Sequence, residues 1–294
     1  MGTVAMGASE RIERALERAI GNGESPGYPP LLGRAIRHAV FPGGARIRPR
    51  LCLAVARACG EDAVPVTDSV AVAIELMHCA SLVHDDLPCF DDAPLRRGRA
   101  SVHVAYGEPL AVLAGDALIV LAFETIARWS SSRPERMAPL LLQVARAVGM
   151  PSGIVAGQAW ECETEINLST YHRAKTGSLF AAATVAGATA AGRDPEEWRD
   201  FGELIGEAYQ VADDLQDAAA EAADIGKPVG RDAELGRASA AIELGIQGAI
   251  ARLDALVAGA KAAIPDCRGS ADLEALIVAE ARRFLPKSLV RSPA

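Results

Sequence analysis

Three features of the 294-residue sequence predict an all-α fold. Half of the residues are hydrophobic but only 4% are aromatic, and alanine is abundant throughout, which suits helices packed closely on small side chains. Apolar residues recur at helical spacing over long stretches. No alternating strand pattern runs for more than a few residues, and no linker-like run divides the chain, so one domain over 1–294 is expected.

Ser9 to Ile20 alternates charge with Ile12, Ala15, Leu16, Ala19 and Ile20, an amphipathic first helix. A Gly/Pro loop from Gly21 to Pro30 follows, then a short helix from Leu31 to Val40 that Phe41-Pro42-Gly43-Gly44 stops. Arg46, Arg48 and Arg50 lead into an apolar helix ending near Cys59. Two glycines let a backbone bend closely around a ligand and the arginines can clamp an anion, with arginines merely flanking a helix start as the competing reading. Pro65 to Leu87 reads as a long, largely buried helix holding Glu75 and His78. Ala93 to Ala100 is a basic loop. Helices over Pro109–Trp129 and Pro134–Val148 flank a turn at Ser130–Arg133. Gly157-Gln158-Ala159-Trp160-Glu161 precedes a helix from Ser169 that contains Lys175 and Thr176. Lys175 lies in an otherwise apolar stretch and needs an anionic partner or a cavity. Asp194 and Pro195 begin a helix running to Asp217. A loop over Ala218–Gly236 holds Gly226-Lys227, and two helices, Ala238–Ala260 and Ala271–Phe284, close the chain.

The chemistry concentrates in two acidic clusters. Leu82-Val83-His84-Asp85-Asp86-Leu87-Pro88-Cys89-Phe90-Asp91-Asp92 ends the long apolar helix, and Asp213-Asp214-Leu215-Gln216-Asp217 ends another. Asp213 and Asp217 are four residues apart and share a helix face. Adjacent aspartates at a helix end are usually a solvated cap. Here Arg96-Arg97 follow the first cluster and Lys227 follows the second, so metal-bridged phosphate becomes the stronger reading. Several carboxylates facing each other across a cavity need cations to compensate them. Oxygen-only ligands without a Cys or His cluster favour magnesium over zinc. His78 is seven residues before Asp85, about two helical turns, and so lies on the same side of the helix.

Other classes are disfavoured. A net charge of −8 with only local basic residues argues against nucleic-acid binding. The six cysteines form no CxxC pair and read as buried free thiols of a reducing compartment. No signal peptide is evident. The most apolar stretch, Leu110 to Ala127, contains Asp116 and Glu124 and reads as a buried helix without a transmembrane role. A soluble cytoplasmic protein is expected.

From Leu31 to Arg237 the chain resembles the trans-isoprenyl diphosphate synthases, or polyprenyl synthetases, through six motifs in order. The likeness is greatest to the geranylgeranyl diphosphate synthases of bacteria. Asp85-Asp86-x4-Asp91 resembles the first aspartate-rich motif in its bacterial form, and Asp213-Asp214-x2-Asp217 the second. The resemblance implies the isoprenoid synthase fold, antiparallel helices around a deep central cavity, as a homodimer. It implies condensation of isopentenyl diphosphate with an allylic diphosphate, farnesyl or shorter. Three magnesium ions, with manganese able to substitute, would be held by Asp85, Asp91 and Asp213 with Asp86, Asp214 and Asp217 in support. Arg96, Lys175, Gln210 and Lys227 match positions that contact the allylic diphosphate. Arg48, His78 and Arg97 match the isopentenyl diphosphate site, with Gly43, Gly44 and Arg46 in the same anion-binding turn. Thr176 and Gln210 match polar groups near the developing cation.

The chain also departs from that pattern. Ala45 stands where many members have lysine, and Glu161 where aspartate is usual. Arg237 is carried as a second basic group of the Lys227 loop, although Ala238-Ser239 follow it where the family often has Thr-Tyr after a lysine. Chain length is expected to follow from Ala80 and Ser81, where short-product relatives place aromatic groups, with Met77 as candidate floor and Phe123 read as ordinary core packing in preference to a share in that floor. A twenty-carbon product is expected. The competing readings are a synthase of another product length, a class I terpene cyclase, which lacks an isopentenyl site, and a non-catalytic regulatory subunit, which typically loses an aspartate motif.

Overall fold

The computed structural model describes residues 7–41, 43–164, 170, 171, 173–219 and 240–284. These residues cluster into two compact units, Met1–Val144 with Ala186–Arg193, and Ala145–Val185 with Asp194–Ala294.

The first unit is built on α4, Val64–Asp85. From Val66 to Ala80 every residue of α4 except His78 is buried, as expected of a helix that is apolar all round. Its main partner is α6, Glu108–Trp129, and α1 (Ala8–Gly23), α2 (Pro30–Val40) and α3 (Ile47–Ala58) also pack on it. A core of Ala35, Val83, Leu87, Val102, Ala111 and Ala114 joins α2, α4 and α6 through the short helix α5, Val102–Tyr106. One ionic group that enters this interior is paired: Arg11 Nε donates to Asp68 Oδ1 at 2.6 Å and Arg11 Nη2 to Glu61 Oε1 at 2.5 Å. Unpaired, those charges would be costly to bury.

Two expectations are corrected here. The basic loop at Ala93–Ala100 contains an antiparallel hairpin, β1 Leu95–Arg96 against β2 Arg99–Ala100, with Leu95 opposite Ala100 and Arg96 opposite Arg99. Two-residue strands are too short to register as alternation. Helix α6 is not fully buried either. Less than half of its most apolar window is covered, and Val112, Leu113 and Val120 stand exposed, Val120 by 65%. Both α4 and α6 are long and apolar enough to cross a membrane by composition, but α4 is spent on the core of this unit.

The second unit contains α8, Ile154–Ala159, a π-helical turn at Arg173–Gly177, and α10, Arg199–Ala219, which packs on α11, Ala240–Ala262, and α12, Ser270–Phe284. Helix α7, Pro134–Val148, and helix α9, Ser178–Ala190, run from one unit's residues into the other's. Val211, Ala212, Leu215, Ala249, Leu253 and Leu256 form the α10–α11 core. Helix α11 is kinked at Gly245, whose φ of 67° interrupts the uninterrupted helix that the apolar pattern suggests. The cysteines divide: Cys52, Cys59 and Cys79 are buried, Cys89 and Cys162 are exposed and Cys267 is intermediate, the last three lying in a turn, a 3-10 helix and an irregular segment outside the long helices.

Candidate active site

The first acidic cluster is shaped by the end of α4. Past Asp85 the chain turns at Leu87-Pro88, and the Asp91 N–H donates to the Asp85 carbonyl at 2.9 Å while the Ala93 N–H donates to that of Asp86 at 3.1 Å. Pro88, Cys89 and Phe90 are exposed on this turn, which sets Asp91 beside Asp85. Asp85 and Asp91 are half-buried and Asp86 is buried. Arg96, on β1, donates from Nε and Nη2 to Asp86 Oδ1 at 3.0 and 2.5 Å. Burial pushes the Asp86 carboxyl above its ordinary pKa, against the pull of Arg96.

The glycine turn does something other than the sequence suggests. Neither Gly43 nor Gly44 takes a positive φ, whereas Arg46 does, at 51°. A Cβ on Gly43 would lie 2.1 Å from the Arg46 guanidinium, and one on Gly44 would lie 3.0 Å from that of Arg97. The glycines therefore make room for two arginines. Of these, Arg46 is withdrawn from any ligand: Nη1 donates to Glu75 Oε1 at 2.6 Å, Nε to Glu13 Oε1 at 2.8 Å and Nη2 to the Val40 carbonyl at 2.8 Å. Its side chain and that of Glu75 are 3% and 2% exposed. The assignment of Arg46 to substrate binding is corrected, because each of its three guanidinium nitrogens donates to a group inside the protein. Arg48 is buried and His78 half-buried. Burial first, and then the charges of Arg48, Arg97, Arg96 and Arg46, hold His78 far below the ordinary imidazole pKa, so at pH 7 it is neutral amid arginines. Arg97 itself sits at a left-handed φ of 54°, local strain of the kind that persists where surrounding structure enforces it.

Two residues that neither composition nor spacing singles out fasten this hairpin. Arg99 donates from Nη1 to the Phe41 carbonyl at 2.8 Å and from Nη2 to His38 Nδ1 at 3.0 Å. His38 Nε2 lies 2.7 Å from the Ala100 carbonyl, which fixes the tautomer with the proton on Nε2. A pocket lined by His38, Cys79, Asp86, Arg96, Arg97 and Arg99 opens beneath the hairpin. Met77 and Ala80 are buried on α4, and Ser81 donates its hydroxyl to the His78 carbonyl at 2.9 Å.

In the second unit, Lys175 finds the anionic partner that its apolar setting demands. Its Nζ lies 2.5 Å from Glu161 Oε1, which also accepts from Tyr171 Oη at 2.5 Å. Lys175 is carried by the π-helical turn, a geometry that frequently marks functional sites. The turn presses on α8 so closely that a Cβ at Gly157 would lie 2.5 Å from the Lys175 backbone nitrogen. Thr176 Oγ1 donates to Gln210 Oε1 at 2.8 Å, Gln210 Nε2 donates to Asp214 Oδ1 at 2.9 Å, and Asp214 Oδ2 accepts the Ala240 N–H at 2.7 Å. Asp214 is buried and Asp213 half-buried. The Asp217 side chain, Lys227 and Arg237 lie outside the described residues.

The two motifs thus share a pattern. In each pair the second aspartate is buried against protein donors and the first is more open.

Residues 29–265 match the model of the polyprenyl synthetase family. The chain is 53% identical to the geranylgeranyl diphosphate synthase of Cereibacter sphaeroides, over 96% of this chain and 98% of that protein. It is 50% identical to the enzyme of the same name from Rhodobacter capsulatus, over 95% and 97%. Among solved structures, it superimposes on an FPP/GFPP synthase of Zymomonas mobilis with a TM-score of 0.79 and 31% identity, covering 92% of this chain and 96% of that one. A geranyltransferase of Helicobacter pylori complexed with magnesium and isoprenyl diphosphate gives 0.78 and 26%, covering 96% and 100%. The fold is that of the isoprenoid synthases, and the chain belongs to the polyprenyl synthetase family. The family's members are magnesium-dependent prenyltransferases acting on small diphosphate substrates.

The residues present fit magnesium. Among the described residues no group of three or more His, Cys, Asp or Glu side chains is placed to hold a metal ion by itself. Magnesium does not require such a cage: it keeps several waters, binds through one or two carboxylates and takes phosphate oxygens from the substrate. The turn that sets Asp91 beside Asp85 offers that kind of partial, oxygen-only site.

Proposed function

We propose that this chain condenses isopentenyl diphosphate with farnesyl diphosphate, or a shorter allylic primer, to give geranylgeranyl diphosphate and pyrophosphate. The observation that carries the reading is the Asp85–Asp91 turn with Arg96 and Arg97 behind it, in a chain half-identical along nearly its whole length to proteins named for that product. Three magnesium ions, replaceable by manganese, are assigned to Asp85, Asp91 and Asp213, with Asp86, Asp214 and Asp217 in support; when bound they supply Lewis acidity to the departing diphosphate.

The chain's own groups do the rest. Arg96, Lys175 and Lys227 hold the allylic diphosphate, and Arg96 and Lys175 exchange their carboxylates, Asp86 and Glu161, for phosphate oxygens. Arg48 and Arg97 hold isopentenyl diphosphate, with Ala45 leaving them the work that a lysine shares in many relatives. Neutral His78 donates one N–H to the same diphosphate without adding a charge. Thr176 and Gln210, linked by the hydrogen bond from Thr176 Oγ1 to Gln210 Oε1, are assigned to the positive charge that develops on the allylic carbon. The isopentenyl double bond attacks that carbon, and the proton lost from the adduct passes to the departing pyrophosphate. No side-chain nucleophile is required.

Purified protein given labelled isopentenyl diphosphate, farnesyl diphosphate and magnesium should yield a twenty-carbon alcohol after dephosphorylation. Ala80 is only 2% exposed on α4, and Ala80→Tyr should shorten the product to fifteen carbons when geranyl diphosphate is the primer. An unchanged product from Ala80→Tyr would move the length determinant elsewhere. We further propose that the exposed apolar face of α6 receives a second copy of the chain. Val120→Glu should then lower the mass measured by light scattering from dimer to monomer, and a mass insensitive to Val120→Glu would remove α6 from the contact.

A further inference from the structure

The hydrogen-bond chain Thr176–Gln210–Asp214–Ala240 has a fixed direction. A carboxylate only accepts and an amide nitrogen only donates. Gln210 Nε2 therefore faces Asp214, its Oε1 faces Thr176, and the single Thr176 hydroxyl proton is committed to Gln210. What Thr176 has left to present is an oxygen lone pair. Asp214 is only 4% exposed and engages both carboxylate oxygens within the protein, one with Gln210 and one with the Ala240 N–H. The neighbouring Asp213 is half-buried.

We infer that Asp214, assigned above to the support of magnesium, gives that support without ligating the ion and is a positioning residue: by fixing the Gln210 amide it orients the Thr176 hydroxyl so that its lone pair faces the allylic cation. The inference rests on the ionisation proposed above, since without an allylic cation there is no charge for Thr176 to face. If the amide were free to turn, Thr176 could donate its proton outward and present the wrong end of its dipole.

The test is an exchange of amide and carboxylate. In Asp214→Asn one side chain cannot accept from both Gln210 and Ala240 while keeping the amide of Gln210 oriented. Its kcat for elongation should fall about 10–100-fold, the usual scale for an outer group that orients an inner one. Its KM values should stay within about twofold, because no substrate contact is lost. Binding of magnesium with inorganic pyrophosphate, followed by titration calorimetry, should be unchanged. Gln210→Glu alone sets two carboxylates against each other and should lose as much kcat. In Gln210→Glu/Asp214→Asn the hydrogen bonds are all available again, since the amide nitrogen at 214 donates to the carboxylate at 210, which still accepts from Thr176. The double variant should recover about tenfold over Gln210→Glu. Thr176→Val should cost what Asp214→Asn costs, and the two together should cost no more than Thr176→Val alone. Weakened magnesium–pyrophosphate binding in Asp214→Asn, or a double variant no better than the worse single, would overturn the inference. Thermal unfolding of each variant identifies losses that come from the Ala240 anchor alone: a kcat loss that follows the unfolding temperature would also overturn it. A wild-type protein that never elongates would instead remove the proposed function itself.

Discussion

Asp85→Ala is expected to fold normally and to lower the rate of elongation about 10³-fold, equivalent to about 4 kcal/mol of transition-state stabilisation. The reason is local. Asp85 and Asp91 are brought together by a backbone hydrogen bond of 2.9 Å and are half-buried, so the carboxylate can be removed without opening a core. Initial rates with saturating substrates and a magnesium titration check this, with circular dichroism confirming the fold. A rate within tenfold of wild type would show that the turn is not where the diphosphate is activated. Asp86→Ala should behave differently. It leaves the Arg96 guanidinium without the carboxylate it now grips at 2.5 Å, so part of its effect should appear as lost stability.

Arg46→Met is expected to destabilise the chain by about 3–5 kcal/mol, the range for removing one partner of a buried ion pair. Glu75 would be left 2% exposed without its countercharge. Denaturant unfolding measures the loss. Arg46→Met/Glu75→Leu should regain most of it, because replacing both charges with apolar groups leaves nothing unpaired. Arg48→Met is the contrast: it should raise the KM for isopentenyl diphosphate with a smaller change in stability. If Arg46→Met instead left stability intact and raised that KM, Arg46 would return to the substrate site.

The contrast between Arg46 and Arg48 also shows how far the sequence could be read. Local pattern was enough for the α4 helix, whose apolar run ends at the acidic cluster, and for the two aspartate motifs. It was not enough for Arg46, because the partners that claim it, Glu13 and Glu75, lie 33 and 29 residues away. Gly43-Gly44 signalled a close approach but not of what; the answer is two guanidinium groups. The π-helical turn at Arg173–Gly177 is indistinguishable from ordinary helix in the sequence, because hydrophobic periodicity does not separate one wide turn from the helix around it. The exposure of helix α6 is not legible in the sequence, because an apolar face packed in a core and one left exposed carry the same residues. His38 and Arg99 act through carbonyl groups and one ring nitrogen, and such contacts leave no trace in composition or spacing.

The central claim, that this chain joins two diphosphates by drawing off one of them, is tested most directly by counting pyrophosphate against incorporated isopentenyl units. With farnesyl diphosphate, labelled isopentenyl diphosphate and magnesium, one pyrophosphate should be released for each isopentenyl unit incorporated, incorporation should stop at twenty carbons, and a chelator should abolish both. Pyrophosphate released from farnesyl diphosphate alone, at the same rate and without incorporation, would contradict the account and make the chain a cyclase or a hydrolase. Neither release nor incorporation would leave it without catalysis of its own.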